Sequence, residues 1–346
     1  MTAASISAIA PAHDFLALTL AGNPPLTERL RTEHFIATYI AEGILQIEPL
    51  AVTQQDIVLS SGIHGNETAP IELCNQLIQQ IFNGELLPKQ RLLFIFGNPP
   101  AMRAATRFIE ENLNRLFCGS FADKPMNFER ARAAVLEQAL VDFFAFEATD
   151  TTPRQRIHWD LHTAIRGSKH EKFAVCPYQP ERGYQRAALA PLASAGIEAF
   201  LFNHAPAFTF SYHSSHTFGA DAFTVELGKV HKFGENDLTR LDKLAEVLRL
   251  LITSTSISED NALQQATFYQ VKRVVNREVA DFSFPFADST PNFTQFSKGE
   301  IIAKNGKKSI FCDETGEAVV FPNAKVAIGQ RAALFVVPVA LENVCM

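Results

Sequence analysis

Cysteine is scarce and shows no pairing pattern. The five residues Cys74, Cys118, Cys176, Cys312 and Cys345 are scattered and odd in number, with no Cys-x-x-Cys element. Reduced, mostly buried thiols fit that spacing better than a disulfide framework does. Long apolar runs are absent as well, so no membrane-spanning helix is expected. The opening Met1-Thr2-Ala3-Ala4-Ser5-Ile6 has no basic region, and His13 and Asp14 interrupt the apolar residues after it, which is unlike a secretory leader. The expected location is the cytoplasm. Basic charge is not in excess either: 31 Lys and Arg stand against 37 Asp and Glu, a formal net charge of −6. That balance argues against a nucleic-acid surface and a polybasic membrane anchor, while leaving room for a local arginine pocket and a small anionic ligand. Three common chemistry-bearing motifs are missing. No Gly-x-Ser-x-Gly elbow and no Gly-x-Gly-x-x-Gly occurs, and Ala303-Lys304-Asn305-Gly306-Lys307-Lys308-Ser309 lacks the first glycine of a phosphate loop.

What is present is an ordinary globular composition. With 346 residues, 47% of them hydrophobic, the chain can bury one large core and a smaller one. Short apolar runs at 43–50, 56–60, 91–96, 157–161, 172–176, 198–202 and 222–225 read as strands. Segments with apolar residues at i, i+3 and i+4 lie between them, at 70–82, 128–146 and 237–252, with Asp237 as N-cap of the last. This alternation predicts an α/β architecture, a mostly parallel or mixed sheet flanked by helices. After the polar stretch at 254–261 the pattern changes to short β-branched and aromatic runs at 268–275, 300–303, 309–312, 318–321 and 333–339. The expected division is therefore an α/β domain over 1–255 and a smaller all-β domain over 256–346.

The residues with chemical potential stand where the apolar runs stop. His64 and Glu67, in Ser61-Gly62-Ile63-His64-Gly65-Asn66-Glu67, lie between one strand and a helix pattern. A catalytic zinc needs three nitrogen or oxygen ligands and an open position, and His-x-x-Glu supplies two of them. In a chain with ten His the spacing alone decides nothing, so the partners matter. Asn98, His162 and Glu226 close three further strands. Ligands in open parallel sheets gather beyond the strand C-termini, so this convergence points to a metal hydrolase. Glu226 also fits a strand-end ion pair. His158, mid-strand, reads as a hydrogen-bonded core residue before a ligand, and His213-Ser214-Ser215-His216 as a solvated loop before a metal site. Arg103, Arg107 and Arg115, with Asn98, form a candidate clamp for an anion or a basic helix face; interleaved Leu113 and Leu116 weigh against the latter.

The motifs Ser61–Thr68, Gly97-Asn98-Pro99-Pro100, Asn114-Arg115, Asp160-Leu161-His162-Thr163-Ala164-Ile165-Arg166-Gly167-Ser168 and Glu226-Leu227-Gly228-Lys229, in this order, resemble the succinylglutamate desuccinylase/aspartoacylase family. The resemblance spans nearly the whole chain. It implies a zinc-carboxypeptidase-like α/β domain followed by a small β domain. One zinc ion would be held by His64, Glu67 and His162, with Glu226 as general base. Arg107 would polarise the scissile carbonyl, and Asn114 with Arg115 would hold a substrate carboxylate. The implied reaction is hydrolysis of N-succinyl-L-glutamate to succinate and L-glutamate, the last step of arginine breakdown through succinylated intermediates. Another N-acyl amino acid, a peptide C-terminus or a non-catalytic zinc-binding role are the alternatives. Two positions depart from the family pattern. Asn112 replaces an acid that orients a zinc-binding His, leaving an amide oxygen to accept the imidazole N–H and predicting weaker zinc binding. His216 stands where some relatives carry an Arg.

Overall fold

Residues 14–22, 28–145, 154–254 and 261–345 are described by the computed structural model. The opening residues 1–13, Phe146, and 255–260, which contain the expected domain division, lie outside them. In chain order the elements are α1 (Phe15–Ala21), β1 (Glu28–Arg31), β2 (Phe35–Ala41), β3 (Ile44–Pro49), β4 (Gln55–Ser61), α2 (Thr68–Phe82), β5 (Arg91–Phe96), α3 (Pro99–Arg103), α4 (Phe128–Phe144), β6 (Gln155–Ala164), β7 (Lys172–Cys176), α5 (Arg186–Ser194), β8 (Ala199–Phe202), α6 (Phe210–Phe218), β9 (Asp221–Lys229) and α7 (Asp242–Thr253). The β-rich remainder holds β10 (Thr267–Asn276), β11 (Phe282–Ser283), β12 (Thr294–Gln295), β13 (Ile301–Asn305), β14 (Lys308–Phe311), β15 (Ala318–Val320) and β16 (Arg331–Pro338).

The central strands β5, β4, β6 and β9 lie side by side and parallel, so their C-terminal ends share one edge. All six residues of β5 are buried, as expected for a strand with helices on both faces. One face packs on Leu73, Leu77 and Ile81 of α2 and Leu244, Leu248 and Leu251 of α7. Leu136, Leu140 and Phe143 of α4 and Phe210 of α6 cover the other. The sheet is mixed: β3 joins β5 antiparallel, extending to β2 and β1, and β7 joins β9 antiparallel.

The β-rich remainder is not a separate sheet. β10 pairs parallel with β8, with Phe268 opposite Phe200, and β16, β15 and β12 continue the same 13-stranded sheet. Only β11, β13 and β14 form a second, three-stranded sheet among the described residues. Three further differences from the sequence expectations have local causes. β2 is not among the expected strands, although Phe35, Ala37 and Tyr39 alternate inward in the period-2 pattern. The segment expected as a solvated loop at His213–His216 lies inside α6, started by the Thr209 hydroxyl on Tyr212 N–H and ended by Gly219 at a φ of 65°. Phe210 to Ser215 are all buried, and the polar His213, Ser214 and Ser215 among them explain the polar appearance of a helical segment. Asp237 caps, through Thr239 N–H, a 3₁₀ turn ahead of α7 rather than α7 itself.

Candidate active site

His64 and Glu67 sit in the tight turn between β4 and α2. Glu67 N–H donates to the His64 carbonyl (3.2 Å), and Gly65 N–H donates to the Arg107 carbonyl (3.2 Å), tying the turn to a second loop. Position 65 has no room for a side chain, because a Cβ there would stand 2.2 Å from the Ala101 carbonyl carbon. His162 comes from the end of β6, on the face that also carries His158 and Asp160. His64, Glu67 and His162 are buried together, with a potential ligand atom of each within 4.8 Å of the others. Of the histidines singled out in the sequence, these two meet Glu67. His158 is a core residue, its Nε2 2.8 Å from the Ser60 hydroxyl and its ring edge-on to Phe210. His213 and His216 stay on α6, His216 exposed and stacked on Tyr212.

The outer nitrogens decide what the inner ones offer. His162 Nε2 is 2.9 Å from the Asp160 carboxylate, and His64 Nε2 is 3.0 Å from the Asn112 amide oxygen. Both acceptors require an Nε2–H, so both lone pairs lie on Nδ1. His64 Nδ1 is 3.0 Å and His162 Nδ1 2.8 Å from the two oxygens of Glu67. Two imidazole lone pairs and a carboxylate facing one another form a donor set that suits a cation, and orienting partners behind the imidazoles are typical of metal-binding histidines. The residues present fit a metal ion.

The surrounding charges act on each member of the group, and on His162 they favour a proton at Nδ1 that a bound cation would displace. Burial, with the Arg107 charge added, holds His64 down to about 4. Burial works against a charged His162, but Asp160 and Glu67 outweigh it and raise the imidazole well above its ordinary value. Burial would raise Glu67, yet the two imidazoles hold its carboxyl well below the usual range. Glu226 stands on β9 directly opposite His162 of β6, and its Oε2 is buried without a protein partner. Burial and the Glu67 charge push it up to about 7.

Part of the second predicted group adjoins this centre. Arg107 Nη1 is 2.6 Å from Glu67 Oε1. Asn114 and Arg115 occupy a 3₁₀ turn capped by Asn112, whose side-chain oxygen accepts Asn114 N–H at 3.0 Å. Asn114 Oδ1 accepts Phe210 N–H (2.9 Å), which links that turn to α6. Arg103 points elsewhere, to Glu42 and the Thr19 carbonyl. Asn98 caps α3 and is not part of the His64–Glu67–His162 group.

One residue that shapes the site's surroundings escapes sequence reasoning. Glu129, fully buried in the first turn of α4, accepts Asn98 Nδ2 (3.1 Å) and the backbone N–H groups of Ile109 (2.7 Å), Glu110 (3.2 Å) and Glu111 (3.4 Å). It holds the loop that carries Arg107. A lone Glu in an amphipathic helix gives no sequence signal of that task.

Comparison with known proteins names the family. Residues 53–252 match the family model described as the succinylglutamate desuccinylase/aspartoacylase catalytic domain, and residues 264–339 match the AstE/AspA barrel-sandwich hybrid domain. A succinylglutamate desuccinylase of Shewanella amazonensis is 47% identical over 339 residues, covering 96% of this chain and 97% of its own. The chain belongs to the succinylglutamate desuccinylase/aspartoacylase family. Crystal structures of succinylglutamate desuccinylases from Vibrio parahaemolyticus and Chromobacterium violaceum superpose with a TM-score of 0.85 each, at 39% and 36% identity. They cover 94% and 95% of this chain, and 95% and 99% of their own. Murine aminoacylase 3, at 17% identity and a TM-score of 0.55, shares the fold. Family membership thus extends over both parts of the molecule.

Proposed function

We propose that this chain hydrolyses N-succinyl-L-glutamate to succinate and L-glutamate, with zinc held by His64 Nδ1, Glu67 and His162 Nδ1. The observation that carries the proposal is the buried His-Glu-His group, whose outer nitrogens are already taken by Asn112 and Asp160. The choice of substrate is supported by the names of the relatives, which align over almost their whole length. The same names suit a place in arginine breakdown through succinylated intermediates.

A bound zinc ion would supply an acidified water and a Lewis acid for the amide carbonyl. The remaining chemistry falls to side chains. Glu226 accepts the proton of the attacking water at its unpartnered carboxylate and returns it to the departing glutamate amine. Arg107 keeps one guanidinium arm on Glu67 and turns its other donors to the carbonyl oxygen as negative charge develops there. Asn114 and Arg115 bind a substrate carboxylate, for which a guanidinium fork is suited.

Glu226→Gln keeps the shape and loses the proton acceptor. Metal content should stay at that of the parent while kcat on N-succinylglutamate falls by about 10²–10⁴. In the parent, kcat/KM should be lost as pH drops below about 7, where Glu226 takes a proton, and the variant should lack that limb. Near-parental kcat in Glu226→Gln would overturn the assignment of the base. A higher kcat/KM on N-acetylaspartate than on N-succinylglutamate would overturn the substrate.

A further inference from the structure

Successive side chains of β6 go to opposite faces of the sheet. Ile157, Trp159 and Leu161 enter the apolar core shared with α2 and α7, while His158, Asp160 and His162 follow one another on the other face. Ser60 of β4 stands directly opposite Asp160. Ser60, His158 and Asp160 are fully buried, and His162 nearly so. Buried polar groups cost free energy unless each is hydrogen-bonded, and apolar side chains would fill the same space without that cost. Here the polar row leads from the sheet interior to the His64–Glu67–His162 group.

The bonds along this row have a fixed direction. An ionised carboxylate only accepts, so the Ser60 hydroxyl donates to Asp160 Oδ1 at 2.6 Å. With its one proton spent there, Ser60 Oγ accepts from His158 Nε2, 2.8 Å away, which makes Nε2 the protonated nitrogen. Burial holds His158 down to about 4, so the ring is neutral and Nδ1 is bare. That Nδ1 has no partner among the described residues, and the ring lies edge-on to Phe210. At the other end Asp160 Oδ2 accepts from His162 Nε2 at 2.9 Å, and His162 Nδ1 lies 2.8 Å from Glu67 Oε2. Both carboxylate oxygens of Asp160 are thus held, one by the chain from His158 through Ser60 and one by His162.

We propose that Ser60 and His158 are positioning residues for the metal site: they fix the Asp160 carboxylate and, through it, hold the His162 ring with Nδ1 turned to the cation. This rests on the metal reading proposed above and adds two residues that act through Asp160 rather than by contact with the cation. Without the Ser60 hydroxyl, Oδ1 loses its donor, and the carboxylate and the imidazole that it orients gain freedom to rotate. Outer partners of this kind govern how well a histidine is presented to a metal.

Zinc affinity is measured by competition against a chromophoric chelator for the metal-free parent, Ser60→Ala, Asp160→Asn and the double variant, with thermal unfolding of each zinc-free chain. Ser60→Ala should weaken zinc binding about tenfold, and Asp160→Asn by about 10–100-fold. In the Asp160→Asn background Ser60→Ala should cost less than about threefold more, because effects that pass through one residue do not add. A merely structural Ser60 would instead lower the unfolding midpoint in both backgrounds and leave zinc affinity unchanged. His158→Gln, which offers an N–H near the place of Nε2, should bind zinc like the parent, whereas His158→Phe should bind it more weakly. Ring-nitrogen NMR of the zinc-free parent at pH 7, with the His158 signal identified by its absence from His158→Gln, should show a neutral Nε2–H ring. Parental zinc affinity in Ser60→Ala or His158→Phe, a full second loss on top of Asp160→Asn, or an Nδ1–H ring at His158 would overturn the inference and leave the metal reading standing. A parent that takes up no zinc would overturn the metal reading, and the inference with it.

Discussion

His64 and His162 face the same carboxylate but lean on different partners. Asp160 behind His162 is a buried carboxylate that also accepts the Ser60 hydroxyl at 2.6 Å, whereas Asn112 behind His64 offers a neutral amide. A carboxylate acceptor raises the basicity of a metal-bound imidazole, and such outer partners change metal affinity by about 10–100-fold. Asn112→Asp keeps both acceptances of Oδ1, from His64 Nε2–H and Asn114 N–H, and adds the charge. It should tighten zinc binding by roughly tenfold in a competition titration against a chromophoric chelator. An unchanged or weaker affinity would mean that the amide already orients His64 as well as a carboxylate does. This substitution is legible in the sequence, because Asn112 occupies a fixed place relative to Asn114-Arg115. The backing of His162 by Asp160 is legible only in part, since alternation along β6 puts both on one face but does not tell which nitrogen is bonded.

At the level of elements, the parallel strands deliver the His64–Glu67–His162 group and α4 holds the loop that carries Arg107. Parallel strand ends are predictable from apolar runs, so His64, Glu67, His162 and Glu226 stand out in the sequence. The loop from Ala104 to Asn112 has no periodicity, and its shape depends on a carboxylate from a distant helix. The Glu129 side chain accepts from four donors and sits in the first turn of α4, where a helix favours an acidic residue. Glu129→Gln retains one acceptor oxygen and faces the same backbone donors with an amide. It should cost about 1–3 kcal/mol of stability through unsatisfied N–H groups. Displacement of Arg107 should also lower kcat/KM without changing metal content. Urea unfolding, metal analysis and kinetics on one preparation check all three, and full activity in a destabilised variant would confine Glu129 to a structural role.

Across the whole molecule, the division into two sequence regions is clear, yet the hydrogen bonding is continuous. The change of pattern after residue 254 announces a β-rich part, because helical periodicity is local. The strand pairing of β8 with β10 is not legible, since neither strand carries a signal for its partner. Ala199, Phe200, Leu201 and Phe202 of β8 are all buried, and β10 covers their outer edge. Phe268 stacks on Phe200 and Phe202 at ring-centre separations of 5.6 and 6.4 Å. A chain ending at residue 254 would leave that four-residue apolar strand as an open edge, a template for aggregation. It would also release the segment after His162 from Asn292 and Pro322. The full chain should therefore unfold in a single calorimetric transition, and Phe268→Ala should lower its midpoint through a loss of about 3–5 kcal/mol. The 1–254 chain should be recovered only as aggregates. Two resolved transitions, or a monomeric 1–254 chain that binds zinc, would show that the α/β part folds alone and that the shared sheet is a contact between finished domains rather than a condition for forming the site.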